Sequence, residues 1–335
     1  MKTLVVFLFL GLLYGGSLCA QGIEGAWVKQ SVSYPDSSRF VPEEDILNYD
    51  YYRLSFERDS ICIRSNRIAE KGSDVRYRIN SGTLSFEMEG GFVVEKCEIL
   101  RLTEDELVLK RGNKCWGEEE LLYHFVREDT FKKSLEAIPF EIASMNGADT
   151  VYKANARVCP LFVGDYSLLH YLYPNIPEIN NIMLTDNIFL ATFVIGKNGE
   201  VGTPDIQKRI NRYFEEQFVK ALNGTKGQWV PATLNGEKVN AQVSVEFFFH
   251  SPEVRFELLD MEEKIKEALQ QENYRKARRY IHRVLEIDPT RLRYLYDIAI
   301  LDLLVGDFSS ACKSFYFLQN SEGFQLEKLI KEYCP

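Results

Sequence analysis

The chain has 335 residues, 45% of them hydrophobic and 27% charged, a balance that supports real cores and about two or three domains. Its formal charge of −9 excludes the basic field on which nucleic-acid binding depends. The four histidines (His124, His170, His250 and His282) stand singly, which argues against a histidine-built metal centre or catalytic triad.

Residues 1–20 carry the three-part pattern of a secretory signal peptide. Lys2 supplies the positive start, Leu4 to Tyr14 an apolar run broken only by Gly11, and Gly15, Gly16, Ser17 and Ala20 a small-residue end. The run is shorter than the ~20 apolar residues of a membrane span. Cleavage after Ala20 is expected; lipidation at Cys19 and retention as an uncut anchor are the alternatives. Six cysteines remain beyond Cys19: Cys62, Cys97, Cys115, Cys159, Cys312 and Cys334. An even number in an exported chain permits disulfides, and buried thiols are the plain alternative at each position.

Residues 22–130 read as short strands separated by turns. The runs are Tyr51–Phe56, Ile61–Ile63, Val75–Ile79, Thr83–Phe86, Phe92–Leu102, Glu106–Leu109 and Leu121–Val126. Strands of this length and spacing, with 22 Phe and 18 Tyr in the chain, predict an antiparallel barrel or sandwich. Gly25-Ala26-Trp27, Leu102–Leu109 and the closing Tyr123-His124-Phe125-Val126-Arg127 resemble bacterial lipocalin-like domains. The resemblance implies a closed barrel in which Trp27 packs under Arg127, a structural pair. It leaves open whether the barrel carries a small hydrophobic ligand or is filled by its own side chains.

Residues 131–182 form a linker and irregular segment in this reading. A short helix within Phe131–Met145 is broken at Pro139, and Pro160, Pro174 and Pro177 keep the rest extended. Residues 183–250 are sharper. An apolar strand Phe189–Ile195 meets a Gly196–Gly199 turn, Glu200–Ile206 returns, and Asn211–Asn223 is a helix with Phe214, Phe218, Ala221 and Leu222 on one face. Trp229-Val230-Pro231, the Asn235-Gly236 turn and a Phe-rich strand from Val239 to Phe249 follow. This ββαβ order resembles the C-terminal domain of TonB-type energy transducers. The resemblance implies capture of an outer-membrane transporter segment as an added strand. The receiving edge would be about Asn240 to Phe249, with Gln242, Ser244, Glu246 and Phe248 on the strand, unless a neighbouring segment covers it. Trp229 and Pro231 are read as structural. One departure from that family is plain: the chain has only 11 Pro and no Pro-rich reach.

Residues 255–335 turn helical. Asn273–Ala277 is echoed by Asp307–Ala311, and Ala277/Ala311, Ile281/Phe315 and Val284/Leu318 recur 34 residues apart. That period and the Leu285–Pro289 stretch resemble tetratricopeptide repeats. The resemblance implies a concave groove including Tyr296, Ile300 and Leu303, facing either a partner or the adjoining domain. If Asp307–Asn320 and Phe324–Tyr333 form an antiparallel hairpin, Cys312 and Cys334 come within the ~7 Å between Cα atoms that a disulfide allows. Cys97 and Cys115 are the second candidate pair.

The whole is therefore expected to be a multidomain α+β protein: lipocalin-like β-barrel, TonB-like ββαβ domain and tetratricopeptide-type helical repeat. Phosphate loops, dinucleotide fingerprints and nucleophile elbows do not occur. The function expected is that of a non-enzymatic adaptor in the periplasm or envelope of a Gram-negative-type bacterium, without cofactor or metal. Its partner would be an envelope protein such as an outer-membrane transporter. A carrier of a small hydrophobic ligand and a true energy transducer are the alternatives.

Overall fold

The computed structural model describes residues 22–36, 50–88, 90–112, 120–146, 149–164, 167–319, 324 and 326–334. The leader expected at 1–20 and Cys115 lie outside the described residues. No helix among the described residues is long and apolar enough to cross a membrane.

Strands β1 (Gly25–Ser33), β2 (Arg53–Phe56), β3 (Ile61–Ser65), β4 (Ser73–Asn80), β5 (Thr83–Glu87), β6 (Val93–Leu102), β7 (Glu106–Arg111) and β8 (Leu121–Arg127) form a closed antiparallel barrel. Closure comes from β1 pairing with β8, Trp27 opposite Arg127 and Val28 opposite Val126. Alternation sends Trp27, Leu54, Phe56, Cys62, Leu84, Phe86, Cys97, Leu107, Leu109 and Phe125 inward, where they form one core. The Arg127 guanidinium lies 3.8 Å from the centre of the Trp27 ring. It also donates to the carbonyls of Glu24 (2.7 Å) and Glu104 (2.6 Å), while the indole N–H donates to Ile23 O at 2.8 Å. The expected pair thus seals one end of the barrel by tying the chain entry to the last strand.

The segment expected to be an irregular linker is built of regular elements. Helix α1 (Glu128–Ser134) ends in a 3-10 turn at Leu135–Ala137. Phe131, Leu135 and Ile138 pack with Val28 and Tyr51 on the outside of the barrel. The helix does not reach Met145: Ile138 is already extended, ahead of Pro139, and β9 (Ile142–Asn146) follows. Then come β10 (Asp149–Lys153), β11 (Leu161–Phe162), α2 (Leu168–Asn175) and α3 (Ile179–Ile182). Ser167 caps α2 by accepting from the His170 N–H at 3.1 Å, and Pro174, expected to keep the chain extended, lies inside α2, which ends one residue later.

The middle sheet is mixed and five-stranded. With β12 (Asn187–Ile195), β13 (Asp205–Lys208) and β17 (Asn240–Phe249), the order is β13-β12-β17-β10-β9. Helix α4 (Arg212–Asn223), capped by Asn211, lays Phe214, Phe218, Ala221 and Leu222 on one face of this sheet. The core there is aromatic: Phe189 lies 4.8 Å from Phe214 and 4.7 Å from Phe218 between ring centres. Phe247 and Phe249 complete it from the last strand. Two short ladders flank the sheet, β11 with β14 (Trp229–Val230) and β15 (Thr233–Leu234) with β16 (Glu237–Lys238).

Helices α5 (Pro252–Gln270), α6 (Tyr274–Ile287), α7 (Leu292–Leu304), α8 (Phe308–Gln319) and α9 (Glu327–Tyr333) follow. The 34-residue echo is structural, since both members of each pair Ala277/Ala311, Ile281/Phe315 and Val284/Leu318 are fully buried. Cys312 and Cys334 form a disulfide with their Cα atoms 5.6 Å apart, as the hairpin geometry requires. Cys97 is a free thiol in the barrel core, so the second expected pairing is not made from its side.

Two predictions follow from this packing. The Cys312–Cys334 bridge spans 22 residues, so its loss through Cys312→Ser should cost ~3 kcal/mol, read by chemical denaturation under non-reducing conditions. Burial pushes the thiols of Cys62 and Cys97 up to about 12. Both should resist iodoacetamide at pH 8.5 in the folded protein and react at once in denaturant, as mass spectrometry would show.

Candidate functional site

The final strand β17 is central over its first third and a margin over the rest. On one side it pairs with β12 along its length, from Ile195 opposite Ala241 to Asn187 opposite Phe249. On the other it pairs in parallel with β10 only at Val151–Asn240, Tyr152–Ala241 and Lys153–Gln242. The last bond of that ladder runs from the Ala154 N–H to Gln242 O at 2.9 Å. The expectation of an open edge from Asn240 onward is corrected accordingly: Asn240 to Gln242 are covered, and the open stretch begins at Val243.

The cause of the separation lies in one side chain. Asn155 is buried, and its Oδ1 accepts the N–H groups of both Arg157 and Val158 at 2.9 Å. Its Nδ2 donates to Pro139 O at 3.0 Å. An Asn that binds the backbone two and three residues on replaces strand hydrogen bonds with a turn. Val158 then packs with Ala232, Leu234 and Ala241 instead of continuing the ladder beside β17.

Backbone direction along β17 follows from that last bond. Gln242 O points toward β10, so the N–H and C=O groups of Ser244, Glu246 and Phe248 point the same way, two residues apart. Beyond Gln242 no strand among the described residues pairs with that side. Val243, Val245, Phe247 and Phe249 face the α4 core, whereas Ser244 and Glu246 are exposed and Phe248 is half-buried on the opposite face. Tyr173 of α2 packs edge-on against Phe247, with ring centres 5.4 Å apart, and supports the strand from the core side.

Trp229 is buried beside β11 and β12. The indole sits 5.1 Å from the Phe162 ring and 6.0 Å from the Phe193 ring, and its N–H donates to Thr225 Oγ1 at 3.0 Å. Gly199 turns tightly beneath it at φ +82°, and a Cβ there would lie 2.8 Å from Trp229 O. Pro231 follows the two-residue β14 and, lacking an N–H, cannot extend its ladder.

The expected helical groove is corrected by the structure. Tyr296 is buried among Phe315, Phe324, Leu326 and Leu329, its ring stacked 6.1 Å from that of Phe324. Ile300 and Leu303 pack against the same cluster. The chain's own C-terminal segment packs into the concavity, so Tyr296 is core and Ile300 and Leu303 are half-buried beside it. Sequence reasoning also missed β10 and Asn155. The β-prone run Asp149-Thr150-Val151-Tyr152-Lys153 was the available signal for the first; nothing local marks which strand it joins.

The chain matches no protein-family model, and no curated protein matches it.

If Trp229 is scaffold, Trp229→Ala should cost ~3–5 kcal/mol in thermal or chemical unfolding. A folded variant of near-native stability would show the indole to be a contact surface instead.

Proposed function

We propose that the protein is a non-enzymatic, exported adaptor that captures an extended segment of an envelope protein, such as an outer-membrane transporter, as an added strand. The observation that supports this reading is that no strand among the described residues pairs with the outer side of β17 from Val243 to Phe249. An exposed sheet margin offers a row of N–H and C=O groups that a partner strand completes, with alternate side chains supplying selectivity. Ser244, Glu246 and Phe248 would present those side chains on the outer face, Gln242 being already paired with β10.

The resemblance of residues 183–250 to TonB C-terminal domains agrees with the placing of the margin on the last strand. The missing Pro-rich reach favours borrowed binding over energy transfer. A disulfide among the helices fits folding in an oxidising compartment. The tetratricopeptide-like helices, with their concavity filled, serve in this reading as a buttress. His250, directly after β17, lies 3.4 Å from Asp288 at the end of α6, and the Ser251 N–H donates to Asp186 at 2.8 Å.

Substitution by proline separates the margin from the ladder. In Glu246→Pro the lost N–H is the outward one, so the β12 pairing survives at a cost of ~1–3 kcal/mol. Val245→Pro removes an inward bond and should unfold the sheet. Photo-crosslinking from position 244 of the full chain, in its own cells, should yield an adduct with an envelope protein that Glu246→Pro abolishes. No adduct, or one that survives Glu246→Pro, would overturn the proposal.

A further inference from the structure

The helical region carries a charged face that its own packing does not explain. Helix α6 holds five cations (Arg275, Lys276, Arg278, Arg279 and Arg283) and one carboxylate, Glu286, in a chain whose formal charge is −9. Two of the five are occupied within the fold. Arg278 bridges Asp302 at 2.6 Å and Asp307 at 3.4 Å, and Arg283 bridges Glu257 at 2.9 Å and Glu286 at 3.3 Å. Lys276 lies 5.9 Å from the centre of the Tyr280 ring. Among the described residues, Arg275, Lys276 and Arg279 make no ion pair.

Helical spacing determines where these groups point. Ala277, Ile281 and Val284 face the core. Arg275, Arg279 and His282, at i, i+4 and i+7, therefore line the opposite side, and all three are exposed. Helix stability does not require them. The first turn of α6 holds Arg275 and Lys276 and no acid, the end at which the helix dipole disfavours positive charge.

The face continues on α8. Ala311, Phe315 and Leu318 take the buried places of Ala277, Ile281 and Val284 there. At the same offset, Lys313, Tyr316 and Phe317 take the outer places of Arg279, His282 and Arg283. All three are exposed, Phe317 at 60% and Tyr316 at 43%. Asp307 joins the two helices: hydrogen bonds from Ser310, and after them the charges of Arg278 and Lys313, hold its carboxyl below the usual range. The outer side of the repeat pair thus presents unpaired cations on α6 beside a cation and two aromatic rings on α8.

We propose that this outer face docks on an anionic lipid surface. Arg275, Arg279 and Lys313 meet headgroup phosphates, and the rings of Tyr316 and Phe317 enter the interfacial layer. Charge complementarity selects this occupant. A bilayer offers a continuous plane of negative charge that cations on one helix face meet together without a pocket, and aromatic rings favour its polar boundary. The rest of the chain carries more than the whole of the −9, so only this face is drawn to such a surface. The proposal does not rest on the strand-addition reading, and it gives the helices a contact of their own.

Vesicle flotation of the chain as exported, with residues 1–20 removed, tests it. The vesicles are phosphatidylcholine alone and phosphatidylcholine mixed with phosphatidylglycerol. Binding to the mixed vesicles only, lost in high salt, is expected. Arg275→Gln with Arg279→Gln should weaken that binding about thirtyfold, the effect of two cations at a lipid surface. Phe317→Ser should weaken it with the salt dependence unchanged. Lys208→Gln with Lys226→Gln removes the same charge from exposed positions on β13 and after α4, and should leave binding as it was. No binding to the mixed vesicles, or equal binding to phosphatidylcholine alone, would overturn the proposal. So would an equal loss in the Lys208 and Lys226 variant, which would make net charge and not this face the cause.

Discussion

A single buried amide governs the middle of this protein. Asn155 takes two backbone N–H groups onto its carbonyl oxygen and gives its own N–H to Pro139, and in doing so ends the parallel ladder on β17 after Gln242. Each of those bonds satisfies a buried group that would otherwise demand a strand partner. Without that turn, β10 could run on beside β17 and cover the rest of it. With it, the sheet has its outer strands β13 and β9, and interior β17 keeps a margin from Val243 to Phe249 whose other side is held by β12 and the phenylalanine core. In the proposed reading, a stiff edge limits the ordering cost of capture. The Phe189, Phe214, Phe218 and Phe247 rings beneath β17 supply that stiffness.

The barrel interior divides into an apolar part and a charged part. Trp27, Arg127 and the chain entry at Ile23 seal one end through a stacked guanidinium and carbonyl hydrogen bonds. Apolar side chains fill the interior above them. At the far end the same inward register carries Lys29, Arg64, Glu95 and Arg111 in place of hydrocarbon.

Contacts between neighbouring segments fix these parts beside each other. Phe162 exchanges backbone hydrogen bonds with Ala69 (2.9 Å) and Lys71 (3.1 Å) of the β3–β4 connection, while its ring lies against Trp229. Arg255 of α5 donates to His250 O at 2.9 Å and to Met183 O, binding the first long helix to the sheet. Asp50 forms an isolated bridge with Phe324, the residue whose ring covers Tyr296. The helices thus lean on the sheet and on the barrel, consistent with a repeat too short to be stable alone.

Much of this was legible in the linear order of residues. Short β-prone runs between turn residues marked the barrel strands, because run length and turn chemistry are local whatever the partners. Asn211, Phe214 and Phe218 marked α4 for a similar local reason: a cap and a 3.6-residue stripe are properties of one helix. The 34-residue echo and the bonded pair Cys312 and Cys334 were also readable, since both depend on helix length and hairpin closure. Three features were decided only by tertiary structure. The first is that β10 covers Asn240 to Gln242 and no more. The second is that Phe324 lies on Tyr296 and turns a groove into a core. The third is that Glu95 bridges both Arg64 and Arg111 inside the barrel. Each is a meeting of residues tens of positions apart, and periodicity records which face a side chain takes but not what stands opposite it.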